Sequence, residues 1–192
     1  MDTYHVVLYI HFLALIVGVG AGAIMLVCLI QLRGAGTLEQ AVPWGMLAGK
    51  TEKAFPIAIL GLFGSGAYMT TDVWTWGTGW IDVSIAGLVL LALQGALGAG
   101  RAGKMLEHAL HENGPGQLGT HARRMARHPM LWMADLANEG IVFGIVWDMT
   151  QKPGTGSAIA AVVVGYAVGA AAGWQLSRLP ATAVETAVEP AA

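Results

Sequence analysis

Residues 6–30 read VVLYIHFLALIVGVGAGAIMLVCLI. The run carries no formally charged side chain and exceeds the roughly 20 apolar residues that take a helix across the hydrocarbon of a bilayer. It therefore reads as a membrane-spanning helix with one polar intruder, His11, in its first third. Lipid offers an imidazole neither water nor a hydrogen-bond partner, so another part of the chain or a ligand has to hold His11.

Similar apolar density recurs along the chain, and the runs lie at roughly 5–31, 54–71, 81–100, 130–149 and 157–178. They predict an all-α integral membrane protein, a five-transmembrane-helix bundle filling residues 1–179. The fourth run is interrupted by Asp135, Asn138 and Glu139. Its flanks still favour a span, with Trp132 and Trp147 as interfacial anchors and Lys152-Pro153-Gly154 as a tight break before the fifth. The composition agrees: 55% of the 192 residues are hydrophobic and 11% charged, whereas soluble domains carry about 25% charged residues. Mean hydropathy is +0.59. A net charge of −2 gives no concentrated basic face for nucleic acid. The single cysteine, Cys28, excludes an intramolecular disulfide and a cysteine-built cluster. The start, MDTYH, lacks the basic n-region of a signal peptide, so the first run is expected to stay as a permanent span. PATAVETAVEPAA, 180–192, has no large apolar side chain beyond valine and is expected to be a disordered tail.

Positive charge sets an expected orientation. Arg33, Lys50 and Lys53 fall between the first two runs, and Arg101, Lys104, Arg123, Arg124 and Arg127 between the third and fourth. Arg178 follows the last run, and Lys152 stands alone between the fourth and fifth. With the N-terminus outside and the C-terminus cytoplasmic, only Lys152 is exposed outside, which points to a multi-pass protein of a bacterial inner (plasma) membrane. The basic segment 101–129 then faces anionic lipid, with RAGKMLEHALHEN as a short surface helix.

Small residues supply the means of packing. Gly18, Gly20 and Gly22, then Gly61, Gly64 and Gly66, then Gly95, Gly98 and Gly100, then Gly140 and Gly144 permit close helix approach. Gly165, Gly169 and Gly173 form a GxxxGxxxG face that serves either the bundle interior or an oligomeric contact, with a second protomer or a larger membrane complex.

Several polar side chains invite chemistry. By helical periodicity Tyr4, His11, Gly18, Gly22 and Met25 share a face, so His11 points where small residues admit a neighbouring helix or a flat ligand. On the fourth run His128, Asp135, Asn138, Glu139 and Met149 share another, and the acids and amide there are candidates for a proton or ion relay or for a polar network that sets helix register. From the run directions, Glu139 is expected within reach of His11 through a water or a side chain. Met69, Asp72, Asp82, Asp148 and Met149 gather at the same ends as His11. Imidazole, thioether and carboxylate suit copper or His/Met-ligated haem, with His11, Met69, Asp72 and Asp148 as the metal set. The alternative is that the methionines fill gaps, the aspartates are solvated, and His11 is bonded to a backbone carbonyl or to a polar residue on the fourth span. His108 and His111 have the i,i+3 spacing of a shared metal without a third ligand, while His121 and His128 read as interfacial.

HFLALIVG resembles the first helix of a broad group of small bacterial membrane proteins. That group includes the membrane-type protoporphyrinogen oxidase of haem biosynthesis, the copper resistance D family and related proteins of unknown function. PIAILGLFGSGAYMTTDVWTWGTGWIDVSIAGLVLL and DMTQKPG, leading into a glycine-rich helix, resemble the last of these most. The likeness implies haem b ligated by His11, the one position onto which that role is carried, for electron transfer or redox chemistry; the helix faces and run ends offer Gly18, Gly22, Met69 and Met149 as its surroundings. Val17 stands where the oxidases often have tryptophan, and their basic, tryptophan-rich stretch is missing from the second run. Haem binding is therefore carried over and porphyrinogen oxidation is not. Metal-ion (copper-like) handling and a non-catalytic accessory subunit without cofactor are the other expectations.

Overall fold

The computed structural model describes residues 2–98, 124 and 126–179. The expectations placed on the surface helix RAGKMLEHALHEN, 101–113, on His108, His111 and His121, and on the tail 180–192 lie outside the described residues. The elements are α1 (Thr3–Gly34), α2 (Leu38–Thr51), α3 (Ala54–Val73), α4 (Gly79–Gly98), α5 (Pro129–Gln151) and α6 (Thr155–Arg178). Every described element is helical, and five stretches, one of them α2 and α3 taken together, are long and apolar enough to cross a membrane.

The spans alternate in direction. His11 meets Ser65, and a Cβ on Gly61 would lie 2.9 Å from Ala14 and one on Gly18 3.4 Å from Ala58, so α1 and α3 are antiparallel. The Trp74 and Trp80 rings meet edge to face, centroids 5.4 Å apart, across the short α3–α4 turn. Gly79 at the start of α4 abuts Thr155 at the start of α6, and Arg33 at the end of α1 reaches the end of α6. One end of the bundle thus gathers Thr3, Val73, Gly79, Gln151 and Thr155, and is called the Thr3 end below; the opposite one is the Gly34 end.

The interior is built of small side chains. Ala21, Ala41, Ala48, Ala58, Ala137 and Ala158 are buried, while Ile16, Ile57, Leu60, Phe143 and Val168 face outward. In lipid the apolar surface gains little by being hidden, so helices associate through close van der Waals contact, which small residues allow. The α5–α6 pair carries this furthest. A Cβ placed on Gly165, Gly169 or Gly173 would run into the carbonyl oxygens of Gly140, Leu136 and Trp132 respectively. Three glycines at four-residue spacing thus face three carbonyls at the same spacing, the arrangement of Cα–H···O contacts between helices. The GxxxGxxxG face is taken up inside the chain. By contrast Gly20, Gly64 and Gly95 meet nothing within 4 Å.

Two expectations change here. The segment between the first two runs is largely helical: Thr37 accepts from the Gln40 amide at 3.3 Å and Gln40 returns the bond, a capping box that starts α2. The buried face of α2, Ala41, Gly45, Ala48 and Thr51, lies against the rest of the bundle. Trp132, expected as an interfacial anchor, is 2% exposed. Its Nε1 donates to the Ala126 carbonyl at 3.1 Å, and the Arg33 guanidinium lies 5.3 Å from its ring centroid. Trp147 is 54% exposed, as an anchor should be.

Candidate functional site

His11 is 6% exposed, and its holder is Ser65 on α3, not a group on the fourth span. The Ser65 hydroxyl has one proton and donates it to the Gly61 carbonyl at 2.5 Å, a bond that a serine in mid-helix makes to its own preceding turn. Its oxygen is then left to accept, and His11 Nδ1 lies 2.8 Å away. With the Ser65 proton on the Gly61 carbonyl, Nδ1–H donates to Ser65 Oγ and Nε2 keeps its lone pair; the Leu62 backbone carbonyl is a further hydrogen-bond partner of the ring. Gly66 flanks the ring, a Cβ there lying 3.7 Å from His11 Cε1.

The other residues expected around His11 are spread apart. Gly18 faces Ala58, and the space over Gly22 is filled by the Glu139 carboxyl, which a Cβ on Gly22 would strike. Gly22 is eleven residues beyond His11, about 16 Å along the helix. The Glu139 carboxyl therefore lies three turns from the imidazole, and the expected reach between them is not made. Met69 is one turn from Ser65 on α3 and half-buried, Met149 is half-buried on α5, and Asp72 and Asp82 are exposed. Asp148, expected to be solvated at a helix end, is 0% exposed. Among the described residues no three His, Cys, Asp or Glu side chains converge as a metal site.

On α5, Asp135 Oδ2, Asn138 Oδ1 and both Asp148 oxygens are buried without a hydrogen-bond partner among the described residues, as is Ser84 Oγ on α4. Asp148 was legible as a helix-end carboxylate and candidate metal ligand, not as an enclosed one. Ser65 and Ser84 were missed altogether, being single small hydroxyls in apolar runs.

Two cavities lie away from these groups. One of about 570 Å3 at the Gly34 end is lined by Arg33, Glu39, Trp44, Trp132 and Leu179 among others. The other, about 430 Å3, is a shallow groove over α5 and α6 beside Phe143, Trp147 and Val164. Neither includes His11 or Asp148.

The donor chemistry at His11 fits one axial position of a haem: a neutral imidazole with Nδ1 pinned by a hydrogen bond is the form in which histidine ligates iron through Nε2. Nothing in the described residues supplies a second nitrogen or sulfur donor at contact with it.

No family model, curated protein or solved structure matches the chain. The fold and the outward apolar surface define a class, that of helical proteins with five helices able to span a membrane.

Proposed function

We propose that this is a multi-pass bacterial inner-membrane protein, N-terminus outside, that binds haem b through His11 Nε2. The observation that carries the reading is the hydrogen bond between His11 Nδ1 and Ser65, whose hydroxyl also bonds the Gly61 carbonyl, an arrangement that suits the ligating tautomer at a buried position. Haem, when bound, supplies a one-electron iron couple. The chain's own part is to present Nε2, to keep Nδ1 protonated through Ser65, and to surround the group with alanine, glycine and aliphatic side chains that exclude water. His11 is 6% exposed, so porphyrin binding requires the side chains around the ring to move aside.

The test is a visible spectrum of detergent-purified protein from haem-replete cells, oxidised and then dithionite-reduced. A Soret band with reduced α and β bands that vanish in His11→Ala is the expected result. A flat spectrum of the parent, or an unchanged one in the variant, defeats the assignment.

A second reading has its own support. Asp135 Oδ2 and Asn138 Oδ1 are buried and unpaired on α5 beside Glu139, in a span where such groups are costly unless they serve ion or proton movement. On this reading Glu139→Gln lowers proton or metal-ion flux into proteoliposomes at least tenfold, and equal flux in parent and variant removes it. The copper-like alternative rests on His11, Met69, Asp72 and Asp148, which the structure keeps apart in exposure, Asp72 in solvent and Asp148 enclosed.

A further inference from the structure

Asp148 stands out among the buried polar groups because both of its carboxylate oxygens lack a partner and the residue is 0% exposed. Ser84, 5% exposed, has its hydroxyl oxygen in the same condition. The two belong to one place. A Cβ on Gly87 of α4 would lie 2.9 Å from Ile145 of α5, which marks where these antiparallel helices touch. One turn from that contact toward the Thr3 end, three residues back on α4 and three on along α5, comes Ser84 on one helix and Asp148 on the other. Ile81, Ser84 and Gly87 form the buried face of α4, and Ile141, Ile145 and Asp148 the matching face of α5. The register therefore puts the two groups in the same layer of the α4–α5 contact, and no hydrogen bond joins them.

A carboxyl enclosed in this way is either neutralised by a proton or balanced by a cation. The nearest basic residue in sequence, Lys152, has its Nζ over the Trp74 ring, 4.6 Å from the centroid. No ion pair to Asp148 exists among the described residues, and His11 is engaged with Ser65.

We propose that Asp148 and Ser84 form a binding site for a monovalent alkali cation between α4 and α5. The donors are hard oxygens, two from the carboxylate and one from the hydroxyl, which select alkali and alkaline-earth ions over copper or zinc. The charge selects among those: one carboxylate balances a single positive charge, and a divalent ion would leave a net charge enclosed in an apolar layer. Asp148 is three residues from the end of α5, about 5 Å below it, so an ion enters from the Thr3 end. The site is separate from His11 and stands whether or not His11 carries haem.

The full-length protein, purified in detergent, is unfolded thermally in NaCl, in KCl and in choline chloride at equal ionic strength. The expected result is a Tm about 5 °C or more higher in one alkali salt than in choline. The gain disappears in Asp148→Asn, shrinks in Ser84→Ala and persists in Asp82→Asn, whose carboxyl is exposed. Equal Tm values of the parent in all three salts would show that a proton and water, not a metal cation, settle the pair, and would overturn the proposal; so would a salt gain preserved in Asp148→Asn. Should Asp148→Asn fail to fold, carbodiimide modification of the parent followed by peptide mass analysis decides. Alkali cation, and not choline, then protects the peptide containing Asp148, and equal modification in both salts overturns the site.

Discussion

A buried hydroxyl that already donates to its own helix is a pure acceptor, and Ser65 is placed to make His11 a pure donor at Nδ1. Removing the hydroxyl takes the Ser65 partner from an enclosed N–H and leaves it only the Leu62 carbonyl, a loss of about 1 kcal/mol. It also frees the ring to adopt the other tautomer. Ser65→Ala is therefore expected to lower haem affinity about tenfold or more, in the range seen when partners of ligating histidines are removed, read as haem content per protein by pyridine haemochrome. Ser65→Thr, which keeps the hydroxyl, is expected to restore most of it. A protein whose haem content is the same in Ser65→Ala as in the parent would separate the hydrogen bond from ligation. The histidine was readable because a polar side chain inside an apolar run announces itself. Its partner was not, because a serine bonding to the preceding carbonyl looks, in sequence, like any small residue between Gly64 and Gly66.

Between elements, what decides stability is how closely backbones approach. Gly169→Ala drives a methyl into the Leu136 carbonyl and against Ala137 Cα, and the helices have to part. A loss of about 1–3 kcal/mol is expected, measured by unfolding in mixed micelles. Gly64→Ala, at a position that meets nothing within 4 Å, should be neutral or stabilising by up to about 1 kcal/mol, because alanine is the better helix former. Equal losses in the two would mean that helix propensity, not contact, is being read. The spans and the GxxxGxxxG spacing were legible because lipid imposes length and small-residue periodicity on a sequence. Helix α2 was legible in principle from Thr37-x-x-Gln40, yet its 14 residues contain Pro43 and lie between two spans. A capping signature followed so soon by proline reads as a connector, and packing of Ala41, Gly45 and Ala48 on the bundle supplies what local sequence does not.

For the molecule as a whole, the arrangement of charges and the closure of the bundle are open to direct tests. The positive-inside reading puts Lys53 in the cytoplasm and Thr75 outside. In a Cys28→Ser background, Thr75→Cys is expected to react with a membrane-impermeant maleimide in intact cells, and Lys53→Cys only after permeabilisation. The reverse pattern would invert the topology. Closure at the Gly34 end depends on Arg33. Its Nη2 donates to the Ser177 carbonyl at 2.9 Å, and the guanidinium also bonds the Leu176 carbonyl, which accepts the Leu179 amide as well, and the Leu179 carbonyl beyond the end of α6. Arg33→Ala is expected to raise amide exchange through the last turn of α6 at least tenfold. Arg33→Lys should rescue little, since an ammonium is a single point where the guanidinium is a fork. This clasp was not readable from the chain, where Arg33 figured only as a counted positive charge.

The partners of that clasp are separated by more than 140 residues. A ribosome feeding this chain into a membrane releases α1 first and α6 last, so Arg33 spends the whole of synthesis without the carbonyls it will bind. Until then its charge is shared with water and lipid phosphate at the membrane surface. The final event of biogenesis is thus the arrival of the last helix at the first, and a chain stopped short of residue 176 would carry every earlier span and still lack its lock.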